Sequence, residues 1–315
     1  MARPYAVVIG EALVDLLEDV RDGQRVYREA VGGAPLNVAV GVARLGHPVE
    51  LVGSLGDDVL GRRVRQFLAE VGVGTDHLVP VDVATTIALT TFDGSEPDFH
   101  FYGEPPSYGL LGPELVDPNL VPGASVLYCG SIALLQPRLL ATALAAWSAA
   151  GAAGTSRAFD PNVRPRLVTD VARLRQTVEE FAATADLVKL SAADAAALYG
   201  ATPGAAAGHL IDLGARAVVV TLGAAGALVR HGGETETVPA PRVAAVDATG
   251  AGDATMAGLL HGLLVAPPDD LAGWVRLVEF AVAIAALTCE APGGATAIPT
   301  LAQVQARFPG IRPPQ

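Results

Sequence analysis

"VDATGAGDATMAGLL", residues 246–260, surrounds its most flexible segment with two carboxylates, Asp247 and Asp253. After Asp253 the apolar residues Met256, Leu259, Leu260, Leu263 and Leu264 recur at i, i+3, i+4, i+7 and i+8, the spacing of one helical face. Asp253 therefore stands at or near a helix N-terminus. Free backbone N–H groups and about +0.5 of dipole charge collect at such an end. Gly250 and Gly252 carry no side chain to keep an anion off the main chain. The stretch predicts a phosphate-binding turn.

The rest of the chain limits what that turn can serve. It has 315 residues, 51% of them hydrophobic, enough for a large core. Ala6–Ile9 is the only apolar run near the N-terminus before Glu11 and Asp15 interrupt it, and no stretch of about 18 residues is uniformly apolar, as a membrane span needs. These features predict a globular cytoplasmic protein that engages no membrane. Cys129 and Cys289 lie far apart in apolar surroundings and read as reduced, buried thiols. No histidine falls in metal-ligand spacing.

A formal charge of −12 argues against nucleic acid as a partner, because phosphate backbones are bound by many basic contacts. Any bound phosphate must be held locally. Lys189 is the sole lysine and follows Val188 rather than glycine, so the chain has no P-loop. The dinucleotide fingerprint fails as well, since its third glycine would fall on Thr255.

Short strand-like runs, "YAVVIG", "VELVGSLG", "SVLYCG", "RAFDPN", "DLVKLS" and "AVVVTLG", are each followed by a helical pattern. That alternation predicts an α/β fold with a mainly parallel sheet, whose ligand sites lie at strand C-termini. Two stretches break the rhythm. Residues 14–33 carry an Asp22-Gly23 turn signal between β-rich flanks, and residues 85–103 carry another at Asp93-Gly94. Both read as hairpins outside the main sheet, together forming a small β lid. No repeat array, low-complexity tract or linker divides residues 1–315, which predicts a single domain.

Several segments combine glycine with polar groups. "GGAPLNVAVGVARLG" sets Gly32-Gly33 before Pro35 and places Asn37 in the first helical turn, although a plain glycine turn with a surface Asn would look the same. "GSLGDDVLG" offers Asp57 and Asp58 before a helix, where N-capping explains one acid. "FDPNVRPR" ends a strand with Asp160, Asn162 and Arg164, able to bind hydroxyls and a phosphoryl group. "TLGAAGALV" gives Thr221, Gly223 and Gly226, fit for a nucleotide on a glycine turn or for a simple hairpin.

Jointly these segments resemble the phosphofructokinase-B (PfkB), or ribokinase-like, family of sugar kinases, from about residue 6 to about 300. "GGAPLNVAVGVARLG" is similar to the family's first signature, "GSLGDDVLG" to its G-x-x-G-D-D-x-x-G segment and "DATGAGD" to its second signature. "GEALVD" and "DPNVR" resemble the fructokinase branch most. The resemblance implies a three-layer α/β core with a lid, and an ATP- and Mg²⁺-dependent kinase acting on a sugar, with fructose first. It implies that Asp253 accepts the sugar hydroxyl's proton and that Gly250, Ala251 and Gly252 form the anion hole. Asp15, Gly33, Asn37 and Arg164 would contact the sugar or the transferred group, with Asn162 as neighbour. Thr221, Gly223 and Gly226 would lie on the nucleotide side. Asp247, Thr249 and "CEAPGGA" (289–295) would hold a K⁺ ion.

The sequence also departs from the family pattern. The common N-x-x-E, linked to magnesium, is Ser191-x-x-Asp194 here, which leaves Asp194 as the Mg²⁺-linked residue. Lys189 could compensate by approaching a phosphate of the nucleotide, or could be a surface lysine at a strand end. Thr255 stands where an aromatic often follows the second signature, and Tyr108-Gly109 departs near the sugar. Two other readings stay open: a kinase for another sugar or a nucleoside, and a non-catalytic sugar or nucleotide sensor. Tyr27, Phe99, Phe101 and Tyr102 on the lid suggest a homodimer formed through it.

Overall fold

The computed structural model describes residues 4–93 and 96–314. Its strands are β1 (Ala6–Ile9), β2 (Leu13–Arg21), β3 (Gln24–Gly32), β4 (Val49–Gly56), β5 (Leu78–Val81), β6 (Ile87–Asp93), β7 (Glu96–Tyr102), β8 (Val126–Gly130), β9 (Ser156–Asp160), β10 (Leu187–Ser191), β11 (Ala217–Thr221), β12 (Ala227–His231) and β13 (Glu234–Val238). Its helices are α1 (Ala34–Arg44), α2 (Val59–Val71), α3 (Pro137–Ala153), α4 (Val171–Ala182), α5 (Ala192–Tyr199), α6 (Pro203–Leu213), α7 (Ala251–Val265), α8 (Leu271–Thr288), α9 (Gly294–Ala297) and α10 (Leu301–Arg307).

The main sheet has the order β13-β12-β11-β10-β9-β8-β1-β4-β5. From β5 to β11 every pairing is parallel, and β12 and β13 add an antiparallel edge. The chain leaves β1 toward β4 on one side and returns to β8 on the other, so the strand order reverses at β1. Open α/β sheets bind ligands beyond the strand C-termini at such a reversal. Alternation along β1 feeds both faces. Ala6 and Val8 join Leu36, Met256, Phe280 and Trp274 on one side. Val7 and Ile9 join Leu139, Phe181 and Trp147 on the other.

The second sheet, β3-β2-β6-β7, joins the two hairpins expected outside the main sheet. Asp22 (φ 52°) and Gly23 (φ 74°) both take the left-handed conformation, as the tight β2–β3 turn requires. The Asp93-Gly94 signal lies between β6 and β7, and Gly94 is outside the described residues.

Three expectations need correction, on α7, Cys289 and Lys189, and α8 needs an account of its hydropathy. Helix α7 buries every residue from Asp253 to Leu264, not one face, because it is wedged between α1 and α8. Gly41 of α1 lets Ala257 approach, and Gly258 lets Ala281 of α8 approach; a Cβ on either glycine would lie within 2.8 Å of its neighbour. Helix α8 is long and apolar enough to cross a membrane, with a mean hydropathy of 1.7 over its 18 residues. Its apolar side chains pack into the core instead, which accounts for that hydropathy. Of the two free thiols only Cys129 is buried, Cys289 being half-buried. Lys189 is 4% exposed and hence no surface lysine.

Candidate active site

The polar residues singled out along the chain converge where the C-terminal ends of β8–β11 meet the start of α7. Register places Gly130 beside Asp160 and Ser191 beside Thr221, so these groups form a row along the rim. Gly250, at φ 79°, is the N-cap of α7, and Asp253 is acidic in its first turn. The Ala251 N–H closes back on the Ala248 carbonyl at 3.2 Å. The N–H groups of Gly250, Gly252 and Asp253 make no such backbone bond among the described residues, which leaves them as the open donors of the turn.

Asp253 is buried and oriented from two sides. Asn37 Nδ2 donates to its Oδ2 at 2.8 Å, and Asn162 Nδ2 reaches its Oδ1 at 3.5 Å. Burial pushes its carboxyl up to about 6; the Asn37 hydrogen bond and the Lys189 and Arg164 charges restrain the rise, while Asp160 adds to it. A carboxylate poised there is ionised at neutral pH yet basic enough to take a proton. Asn37 Oδ1 is buried without a partner, an acceptor that a hydroxyl donor would satisfy.

Asp15 reaches this site from the lid. A Cβ on Gly32 would sit 1.9 Å from Asp15 Oδ2, so Gly32 clears the carboxylate's path. Burial lifts Asp15 to about 7; Arg164 opposes that and Asp253 reinforces it, so both groups lie close enough to act on it electrostatically. Asn162 holds a left-handed φ of 39°, and its Oδ1 accepts from Arg164 Nη1 at 2.5 Å. Gly33 serves the backbone: at φ 111°, a side chain would collide with the Glu11 carbonyl.

Lys189 points into the same region. Its Nζ donates to Asp160 Oδ2 at 2.6 Å and lies 3.1 Å from where a Gly252 Cβ would be. Burial works against its charge, but the surrounding carboxylates, Asp160 foremost with Asp253 and Asp194, together outweigh that and hold the amine protonated above the ordinary lysine range.

Other sequence-derived residues take different places. Asp194 forms a capping box with Ser191 and accepts from the Val163 N–H at 2.9 Å, so local donors already occupy it. Asp247 accepts from the Thr249 N–H at 2.8 Å and the Gly293 N–H at 2.9 Å, tying the turn before α7 to the 289–295 loop. Thr221, Gly223 and Gly226 form the tip between β11 and β12. Gly226 (φ 102°) is needed there because a Cβ would strike the Val238 carbonyl, whereas Gly223 faces open space. No three His, Cys, Asp or Glu side chains group as a metal cage among the described residues.

Two buried carboxylates had no role assigned from sequence. Glu11 accepts from the Ala34 N–H at 3.1 Å and the Ala133 N–H at 3.3 Å, joining the start of α1 to the segment after β8. Burial lifts it to about 7. Its signal was an acid interrupting the apolar run after β1. Asp160 had been read only as part of a polar cluster, since its partner Lys189 lies 29 residues away.

The pfkB family carbohydrate kinase model matches residues 3–301. The fructokinase of Klebsiella pneumoniae is 37% identical over 300 residues, 93% of this chain and 95% of that protein. A double mutant of Vibrio cholerae O395 fructokinase, solved with fructose, ADP and a potassium ion, superposes with a TM-score of 0.86. It is 30% identical and covers 96% of this chain and 97% of its own. Aminoimidazole riboside kinase from Salmonella enterica, solved with aminoimidazole riboside and an ATP analogue, gives a TM-score of 0.84. Its identity is 31%, with 96% and 98% covered.

Proposed function

The chain belongs to the pfkB family of carbohydrate kinases, and from that premise we propose that it is a cytoplasmic fructokinase transferring the γ-phosphoryl group of ATP to a fructose hydroxyl. The observation that carries the reaction type is the buried Asp253 carboxylate in the first turn of α7, beside open backbone donors and a buried ammonium. Phosphoryl transfer depends mainly on positioning and on stabilising charge at the transferred group. Fructose is favoured by the fructokinases at 30–37% identity over nearly the whole chain.

Asp15 and Asn37 hold the sugar, with Asn162 and Arg164 at its reacting end. Asp253 takes the attacking hydroxyl's proton as the oxygen advances on phosphorus. The Gly250, Gly252 and Asp253 N–H groups at the start of α7 and the Lys189 ammonium face the phosphoryl oxygens as negative charge moves onto them. Thr221, Gly223 and Gly226 pack the nucleotide beyond the rim. Mg²⁺ fits this donor set as a companion of the ATP phosphates, a common mode for that ion, because Asp194 is occupied by its capping bonds. When bound it neutralises phosphate charge. A K⁺ ion near Asp247 and Thr249 is supported by the 289–295 loop that Asp247 engages and by the potassium-bound Vibrio relative. The exposed Tyr27 and Tyr102, with half-buried Phe101, favour a homodimer through the lid; Phe99's side chain lies outside the described residues.

The aminoimidazole riboside kinase match makes a nucleoside acceptor the second reading. ADP formation against a panel of hexoses, pentoses and nucleosides decides between them. Fructose should give the highest kcat/KM. Turnover on nucleosides alone reverses the assignment, and binding without turnover on any acceptor makes the protein a sensor.

A further inference from the structure

Asp160 is fully buried at the end of β9, so it can act only through its neighbours. Its two oxygens serve different partners. Oδ2 accepts from the Lys189 ammonium at 2.6 Å, and Oδ1 accepts from the Asn162 N–H at 3.1 Å. The first bond fixes an ammonium beside Gly252, in the turn that receives the phosphoryl group. The second closes an Asx-type turn that stabilises Asn162 at φ 39°, from which its side chain faces Asp253 Oδ1. We propose that Asp160 is a positioning residue for phosphoryl transfer, setting the Lys189 ammonium at the anion hole and the Asn162 amide at the catalytic base with one carboxylate.

The residue types fit that double task. An asparagine could still accept from the Asn162 N–H, but it would take from a buried ammonium its directly bonded counter-charge, leaving only the unbonded Asp253 and Asp194 carboxylates to offset it, a costly outcome for a buried charge. The chain carries many arginines and a single lysine, and that lysine is at this position. An ammonium is a compact charge with three rotatable donors, so one can stay on Asp160 while others turn to a phosphate. The inference rests on the reading that Lys189 faces the phosphoryl group, and that part can fail separately.

The test uses the full chain, whose only ε-amine makes labelling of Lys189 unambiguous. Native protein is treated with N-hydroxysuccinimidyl acetate, with and without ATP, and the Lys189 peptide is followed by mass spectrometry. Wild-type Lys189 should react at least about 10-fold more slowly than in the denatured chain, since acylation requires the free amine that burial and Asp160 withhold. Asp160→Asn should raise that rate about 10-fold. It should also lower kcat on the order of 10²-fold, with both KM values within about threefold, because the interactions it supports matter mainly in the transition state. In a cycle with Lys189→Met, the double variant should be no worse than about the poorer single variant, since the two residues act as a unit.

Lack of ATP protection overturns the role given to Lys189 alone. A wild-type kcat for Asp160→Asn, or multiplicative losses in the cycle, overturn the role given to Asp160. If Asp160→Asn does not fold by circular dichroism, the wild-type labelling decides: reaction at the denatured rate shows that Asp160 does not hold the amine.

Discussion

Asp253 and Asp15, the proposed base and the proposed sugar ligand, stand on scaffolds of opposite kind. Asp253 opens a helix buried on every side, packed between α1 and α8 beneath the main sheet. Asp15 sits on β2, in a four-stranded sheet with β2 and β3 largely exposed toward their shared turn. Proton transfer needs an oxygen held to within a fraction of an ångström, and the core supplies that rigidity. Recognition and exclusion of water need a surface that covers the substrate, the part proposed for the second sheet, which leaves Val20, Tyr27 and Tyr102 exposed. On that proposal the chemistry is divided between an element that cannot be repacked cheaply and one that can.

That division can be broken most sharply at Asp253. Asp253→Asn should lose on the order of 10²- to 10⁴-fold in kcat while keeping ATP affinity, as expected for loss of a general base. Calorimetry of nucleotide binding beside steady-state rates checks it, and near-wild-type turnover would move the base elsewhere. Asp15→Asn should act on the other side of the division. Losing a charged hydrogen bond to the sugar, worth about 1.5–3 kcal/mol, should raise the sugar KM roughly 10- to 100-fold and touch kcat less.

The pH dependence of kcat/KM separates the two acids further. Both work as carboxylates and both are raised by burial, Asp15 to about 7 and Asp253 to about 6. Activity therefore increases with pH through that window and falls as either group takes up a proton. In Asp15→Asn the acid limb should retreat from about 7 to about 6. An unmoved limb would place the neutral-range titration elsewhere, with Glu11, also at about 7, the next group to substitute. The smallest effect is expected from the cation. Replacing K⁺ by tetramethylammonium at constant ionic strength should lower the rate a few-fold, roughly the effect of one ordered anion-hole donor being loosened rather than lost. Asp247→Ala should erase the difference.

Much of this arrangement was legible from local signals. Strand runs ending in Gly, Asp or Ser gave the parallel sheet, the Asp22-Gly23 dipeptide gave the β2–β3 hairpin, and the glycines before Asp253 gave the turn that opens α7. Less local features were misread or left open. The helical spacing after Asp253 located α7, yet a face pattern cannot reveal a helix enclosed on all sides, where Ala254, Ala257 and Gly258 are core residues as well. Lys189 read equally well as a surface residue because its counter-charge comes from another strand. Asp194, expected as a metal-linked acid, also closes a capping box three residues after Ser191, a role the S-x-x-D spacing fits equally well. In each case the deciding partner was spatial, or the motif had two physical explanations of equal local merit.

The two tryptophans give the layered core a spectroscopic consequence. Trp147 lies edge-on to Phe181 at 4.9 Å on one face of the main sheet, and Trp274 is enclosed by α8 and its neighbours on the other. Each face thus carries its own intrinsic fluorophore, and the chain has no other tryptophan. Trp147→Phe and Trp274→Phe would turn the protein into two single-colour reporters, one for each half of the sandwich. Coincident emission changes in urea would mean that the halves melt as one cooperative body. Separated midpoints would mean that the sheet can shed one layer of helices while retaining the other.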